Sequence, residues 1–220
     1  MDSRIRRVLS RLEDQSNRER SMEKGIPPEN MILAITSDTG MFFNILLKAM
    51  RATKILEIGT SAGYSTLWFA DAILQNNITN RGEIKKPIIT IDMNHSKVSI
   101  ANKNFDDAGV NRIIHVIEGN AKKVLSRLLV NYQNGISINN TDNLFDFVFI
   151  DADKENLIDY FDLTIPMVKK GGIIATDNML YPEDYRSEIT KYANYLRNRA
   201  NIESVTVPIG NGEEITIKLA

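Results

Sequence analysis

From Lys54 onward the chain alternates short apolar runs with longer amphipathic segments. The runs KILEI (54–58), PIITID (87–92), IIHVI (113–117), FDFVFID (145–151) and IIATD (173–177) are nearly uninterrupted in their apolar character. Strands buried on both faces of a parallel sheet read this way. Between them, residues 64–74, 95–108, 121–130, 155–168 and 183–199 carry apolar residues at helical spacing, with Gly109 ending the second helix and Gly171–Gly172 the fourth. The stretch SVTVPIGNGEEITIKLA closes the chain as two alternating strands about a Gly-Asn-Gly turn. Upstream, residues 3–24 are charged but place Ile5, Val8, Leu9 and Leu12 at helical spacing, a surface or capping helix broken by Gly25-Ile26-Pro27-Pro28. A second helix is expected over 38–50, with Ser37 or Asp38 as its N-cap. The pattern predicts one α/β domain: a doubly wound, mostly parallel sheet of seven strands with a C-terminal antiparallel hairpin and helices on both faces. Residues 1–36 form an N-terminal helical cap on a core of 37–220. Two polar, Asn-rich stretches, 75–86 and 131–143, read as surface loops.

Composition narrows the function classes. At 220 residues, 43% hydrophobic and 25% charged, the chain can bury a sizeable core. A formal net charge of −1 provides no global field for gripping a nucleic-acid backbone. With no cysteine, disulfides, thiolate metal sites and a cysteine nucleophile are excluded. No apolar run approaches a membrane span, and MDSRIRRVLSRLED lacks a signal peptide's apolar stretch, so the chain reads as cytoplasmic. The tripeptides Asn77-Ile78-Thr79 and Asn139-Asn140-Thr141 match a glycosylation pattern by chance on that reading.

The stretch KILEIGTSAGYS (54–65) puts Glu57, Gly59, Thr60, Gly63 and Ser65 at a strand-to-helix turn. Glycines there let backbone approach a ligand, and the following helix aims free N–H groups at the same spot. The spacing is neither the dinucleotide G-x-G-x-x-G nor a phosphate-binding P-loop, and a tight turn with no ligand is the alternative. Asp92, at the end of the second run, suits either the two hydroxyls of a ribose or the cap of the next helix. Together they point to a nucleoside-bearing ligand at the crevice where strand order reverses.

The pieces SDTGMFFNILLKAM, KILEIGTSAGYST, FDFVFIDADKENLIDYF and GGIIATDNML, with a weaker echo in VPIGNG, resemble the class I, metal-dependent O-methyltransferases of the caffeoyl-CoA and catechol type. The likeness runs from about Ile35 to the C-terminus. It implies a Rossmann-like fold and S-adenosylmethionine as cofactor. Ile35 stands where a backbone contact to the cofactor is usual. Glu57 would approach the cofactor through its motif, Gly59, Thr60 and Gly63 would pass the methionine part, and Ser65 would bond its carboxylate. Asp92 would hold the ribose, Met93 would pack on the adenine, and Asn120 with Ala121 would line the adenine pocket. Asn120 departs from the Asp that relatives often carry. The resemblance also implies a homodimer.

Asp151 ends the fourth strand, and Asp177 and Asn178 end the fifth. Neighbouring strands lie about 4.8 Å apart, so these tips can converge. Two carboxylates and an amide oxygen make a hard oxygen site suited to Mg²⁺, with Mn²⁺ or Ca²⁺ also acceptable. His95 and His115 read as surface or strand residues, which argues against zinc. Lys154, three residues after Asp151, is either a solvated helix-start residue or a base held over the same ion, whose charge would favour the neutral amine. In the catechol enzymes that the Asp151-x-x-Lys154 spacing resembles, the lysine is the base. Asp153 is expected to cap the next helix.

The leading expectation is methyl transfer from S-adenosylmethionine to a metal-bound hydroxyl of a small catechol-like acceptor. A tRNA hydroxyuridine is an alternative acceptor, against which the near-neutral charge weighs. A non-catalytic cofactor-binding or interaction protein is the alternative from another class. The basic set Arg4, Arg6, Arg7 and Arg11 could meet an anionic substrate or form a solvated face. After Asn178 the text MLYPEDYRSEI is shorter than in many relatives, with Tyr181 where tryptophan is common. That shorter roof puts a plant-like acyl-CoA substrate in doubt.

Overall fold

The computed structural model describes residues 1–21, 31–32, 34–77, 87–135 and 144–220. Helices α1 (Ser3–Ser21) and α2 (Ser37–Ala49) precede β1 (Ile55–Ile58), α3 (Tyr64–Asn77), β2 (Ile88–Asp92), α4 (His95–Ala108), β3 (Ile114–Glu118), α5 (Ala121–Gln133) and β4 (Phe145–Ile150). Then come α6 (Leu157–Thr164), β5 (Val168–Thr176), α7 (Arg186–Arg197), β6 (Ile202–Val207) and β7 (Glu213–Lys218). The seven strands lie in the order β3-β2-β1-β4-β5-β7-β6, parallel from β3 to β5, with β7 antiparallel to both β5 and β6. The order reverses between β1 and β4, so a crevice opens there at the carboxyl ends of the strands.

Two cores flank the sheet. On one face Ile55, Ile88, Phe147 and Phe149 pack under α1 to α4; on the other Leu56, Ile89, Val148 and Ile150 pack under α5 to α7. Alternate residues of each strand feed opposite cores, which is why the runs are apolar at every position. Phe69 of α3 meets Phe147 and Phe149 edge-on, and Phe43 of α2 meets Phe149 edge-on and Phe147 at a tilt, the Phe43–Phe149 centroids being 5.1 Å apart. The α1 stripe Ile5, Val8, Leu9 and Leu12 is buried in the same core. Its Arg11 bonds Asn104 at 2.8 Å and Asp107 at 3.1 Å on α4.

Some boundaries differ from the sequence expectation. The N-cap of α2 is Thr36, whose hydroxyl accepts from Thr39 N, so neither Ser37 nor Asp38 caps it. Helix α6 stops at Thr164, whose hydroxyl bonds back to Tyr160 O at 2.7 Å, and Pro166 cannot continue the helical ladder. Gly171–Gly172 therefore lie inside β5 and stop no helix. A side chain at Gly172 would press on Asp146 O at 3.0 Å, where the β4–β5 register shifts. Helices α3 and α5 run on to Asn77 and Gln133, into segments expected as loops. The Gly25–Pro28 break and residues 78–86 and 136–143 of the two expected loops, with them Ile78, Thr79 and Asn139–Thr141, lie outside the described residues.

Candidate active site

The strand registers build the site as one row. Asp92 faces Glu118 across β2–β3. Ile58 opposes both Ile91 and Ile150, and Ile150 opposes Thr176. One residue further, the same ladders align Asp92, Gly59, Asp151 and Asp177. Backbone bonds continue the pairing: Gly59 N to Ile91 O at 2.9 Å, Asp151 N to Ile58 O at 2.9 Å, and Asp177 N to Ile150 O at 3.0 Å. Acidic side chains thus collect at the carboxyl edge of the sheet, with a glycine at the point of strand reversal.

That glycine is required sterically. Gly59 has φ +104°, and a Cβ there would lie 1.9 Å from Asp151 O. The turn after it is held from below by Glu57, which is fully buried. Glu57 accepts from Ser65 Oγ at 2.5 Å, Thr66 Oγ1 at 2.5 Å and Thr90 Oγ1 at 2.6 Å, tying β1 to β2 and to the first turn of α3. Burial pushes its carboxyl up to about 7 against these three donors. The Ser65 hydroxyl gives its one proton to Glu57, so bonding a ligand carboxylate would mean taking it from that partner. Asp92 accepts from Ser61 N at 2.8 Å and Asn94 N at 2.9 Å, and the cap of α4 is Asn94. Thr60 is buried and bonds Thr90 at 2.6 Å. Ile35, Gly59, Thr60, Ser65 and Asp151 line one hollow of about 10 Å³ beside the turn, together with Ser61, Ala62 and Tyr64. Gly63 supports the turn from behind, against Phe105. Met93 is 71% exposed next to Asp92. Asn120 caps α5 by accepting from Lys123 N at 3.2 Å, and Ala121 packs at the edge of the second core.

On the other side of Gly59, Asp151, Asp177, Asn178 and Lys154 meet. Asn178 Nδ2 donates to Asp151 Oδ1 and to Asp177 Oδ2, each at 3.0 Å. Its backbone is left-handed at φ +63°, a conformation asparagine tolerates, and this turns the amide back over the two carboxylates. Lys154, on a 3-10 turn before α6, is buried; its Nζ donates to Asp177 O at 3.1 Å and lies 3.9 Å from Asp151 Oδ1. Burial raises the Asp151 carboxyl, and repulsion from Asp177 raises it further; burial likewise raises Asp177. Such a pair gains from a neighbouring cation. The oxygen donors fit a hard divalent ion, with Asn178 turning its amide about to present Oδ1. Among the described residues no three His, Cys, Asp or Glu side chains group as a metal site, so the candidate donor set is two carboxylates and one amide. Asp153 makes no capping bond; its carboxylate takes the Tyr160 hydroxyl at 2.5 Å, which corrects the expected cap. A cavity of about 430 Å³ lies elsewhere, lined by Met1, Asp71 and Arg112 among others.

Residues 15–219 match the profile of the O-methyltransferase family. The chain belongs to that family. It is an S-adenosylmethionine-dependent O-methyltransferase of class I. Caffeoyl-CoA O-methyltransferase 5 of Nicotiana tabacum is 33% identical over 198 residues, 82% of this chain and 75% of that protein. Caffeoyl-CoA O-methyltransferase 1 of Arabidopsis thaliana is 31% identical over 86% of this chain and 73% of its own. The fold matches an O-methyltransferase from Bacillus cereus solved in complex with SAH, at TM-score 0.73 and 24% identity over 99% of this chain and 91% of that one.

The methyltransferase also has site residues that the sequence reading missed. Asn211, in the Gly210–Gly212 turn, donates to Asn178 Oδ1 at 2.9 Å. The same turn binds the segment after Asn178, through Met179 N to Gly212 O at 3.0 Å and Leu180 N to Asn211 O at 2.8 Å. Its other side presses on Thr36 and Thr39 of α2. Glu213, just beyond, is fully buried against Asp177. The VPIGNG echo was the one available signal; the hairpin register that brings these residues to the site is a tertiary fact.

Proposed function

We propose that this methyltransferase modifies a hydroxyl of a small catechol-like acceptor with the help of a divalent cation, Mg²⁺ first and Mn²⁺ or Ca²⁺ as substitutes. The observation that carries this reading is the convergence of Asp151, Asp177, Asn178 and Lys154 at adjacent strand tips, next to the glycine turn of the cofactor site. Asp151, Asp177 and Asn178 would hold the cation, which when bound lowers the pKa of a coordinated hydroxyl. S-adenosylmethionine supplies a methyl on a positively charged sulfur. Gly59, Thr60 and the start of α3 shape the place for its methionine part, and Asp92 for its ribose, once the carboxylate trades Ser61 N and Asn94 N for hydroxyl donors.

Lys154 acts as base: its Nζ accepts the proton of the acceptor hydroxyl, held beside Asp151 and over Asp177. The burial of Lys154 keeps that proton transfer away from bulk water. Exposed Leu180 and Tyr181 border the site after Asn178 and offer an apolar rim for an aromatic ring. A tRNA acceptor finds less support: of the basic set, Arg4 pairs with Asp2 and Arg11 with Asp107. A cytoplasmic homodimer belongs to the same reading, on the lack of cysteine and the family resemblance. Among the described residues no helix is long and apolar enough to cross a membrane.

Transfer of a radiolabelled methyl group to small catechols and to unmodified tRNA, with Mg²⁺ and with EDTA, tests the proposal. Labelled catechol is expected with Mg²⁺ only. Asp151→Ala and Asp177→Ala should each abolish it, and undiminished turnover in either variant would defeat the metal reading.

A further inference from the structure

Helices α3 and α4 run back from the strand tips, so their last residues come to the amino ends of β2 and β3. There, between Leu74, Ala108 and the start of α1, lies the cavity of about 430 Å³. A volume of that size suits a small organic ligand. Leu74 is nine residues along α3 from Ser65, about 14 Å at the rise of a helix, so this hollow is separate from the glycine turn after β1.

Asp71 of α3 lines this hollow and is 1% exposed. One of its oxygens is satisfied: Oδ2 accepts from Lys48 Nζ at 2.8 Å and from Asn44 Nδ2 at 3.0 Å. The other, Oδ1, is buried and accepts no hydrogen bond; the Met1 amine, 3.7 Å away, is beyond hydrogen-bond reach. A buried carboxylate oxygen without a donor is costly and calls for one. One water would supply it, but a water takes roughly 30 Å³, a small fraction of the space. Leu74, Ala108, Val110 and Ile113 make the walls apolar. At the rim Arg112 is exposed and pairs with no carboxylate among the described residues, whereas Arg4 lies against Gly109 and pairs with Asp2 at 3.4 Å. The hollow thus offers an acceptor inside, an unpaired guanidinium at its mouth, and apolar surface between them.

We propose that this hollow is a second ligand site, for a small zwitterion of the amino-acid class: its ammonium donates to Asp71 Oδ1, its carboxylate meets Arg112, and its carbon chain lies along Leu74 and Val110. The two charged ends need each other. An amine alone leaves the guanidinium unpaired, and an acid alone brings a second negative charge toward Asp71. Arg112 supplies the planar fork that a carboxylate fits.

Saturation-transfer NMR and calorimetry with the full chain test this. The probes are leucine, phenylalanine, aminovaleric acid and aminocaproic acid, beside hexylamine and hexanoate, which each lack one charge. Saturating S-adenosylhomocysteine is present throughout, so that no probe enters the place of the cofactor's methionine part. At least one zwitterion is expected to bind more tightly than both singly charged compounds. Arg112→Ala should weaken it by about 10- to 100-fold, the loss of one charge-assisted bond, and Leu74→Trp, which fills the hollow, should remove it. Asp71 is left in place because it also holds Lys48 and Asn44. Calorimetric binding of S-adenosylhomocysteine shows that each variant is folded, and Arg112→Glu serves if the tryptophan variant is not. Absence of zwitterion binding to the wild-type chain would overturn the proposal. So would hexylamine or hexanoate binding as tightly as the zwitterion, or an affinity that Arg112→Ala leaves unchanged.

Discussion

Replacing Glu57 by glutamine tests the electrostatics of the glycine turn after β1. Glu57 has no solvent contact, and its ordinary value of 4.5 is raised to about 7, chiefly by burial. That rise corresponds to about 3 kcal/mol between the protonated and ionised forms. The sign follows from linkage. A carboxyl raised on folding binds more protons in the native state, so its stabilising contribution is complete below 4.5 and is lost as pH rises through about 7. Glutamine mimics the protonated acid in shape and does not titrate. The stability of Glu57→Gln relative to wild type should therefore improve by about 2 to 3 kcal/mol between pH 5 and pH 8. Asp177 and Glu213 titrate in both proteins and cancel in the difference; Asp151, raised in part by the Glu57 charge, is raised less in the variant, which adds to the same trend. Urea unfolding of both proteins at pH 5, 6, 7 and 8, in EDTA, measures it. If the stability difference stays constant within about 0.5 kcal/mol across that range, the buried carboxyl is not under the strain described, and the reasoning fails.

Two further substitutions probe the site directly. Lys154→Met should lower kcat by about 10²- to 10⁴-fold while leaving S-adenosylhomocysteine affinity unchanged in a calorimetric titration; a matching loss of affinity would make Lys154 structural. Gly59→Ala forces a Cβ to 1.9 Å from Asp151 O at φ +104°, so it should cost more than about 2 kcal/mol by thermal melt and abolish cofactor binding, and a wild-type melting curve would refute the close-approach argument.

Most of the fold was legible because each element announces itself locally. The strand runs FDFVFID and IIATD are apolar at every position, which only a strand covered on both faces requires. Gly109 ends α4 in a left-handed conformation that glycine adopts without penalty. The misplaced boundaries have equally local causes that compete. At Thr164 a hydroxyl-to-carbonyl bond and the following Pro166 outweigh an apolar periodicity that could have run on to Val168. At Asp153 the expected backbone partners lost to the Tyr160 hydroxyl, seven residues further along the chain.

For the candidate site, the amino-acid sequence alone determined which strand tips carry glycine or acidic and amide groups: a glycine turn after β1, an aspartate after β2, Asp151 after β4, and Asp177 with Asn178 after β5. A strand tip is a point in sequence as much as in space, and parallel topology then forces neighbouring tips together. What only the tertiary structure decided is who holds those groups. Glu57 and Ser65 became a bonded pair beneath the turn because β1 points Glu57 under the first turn of α3, where Ser65 sits. Asn211 and Glu213 reached Asn178 and Asp177 because an antiparallel hairpin folds back beside β5. Register between distant strands depends on the packing of whole faces, and no window of sequence around GNGEE contains that information.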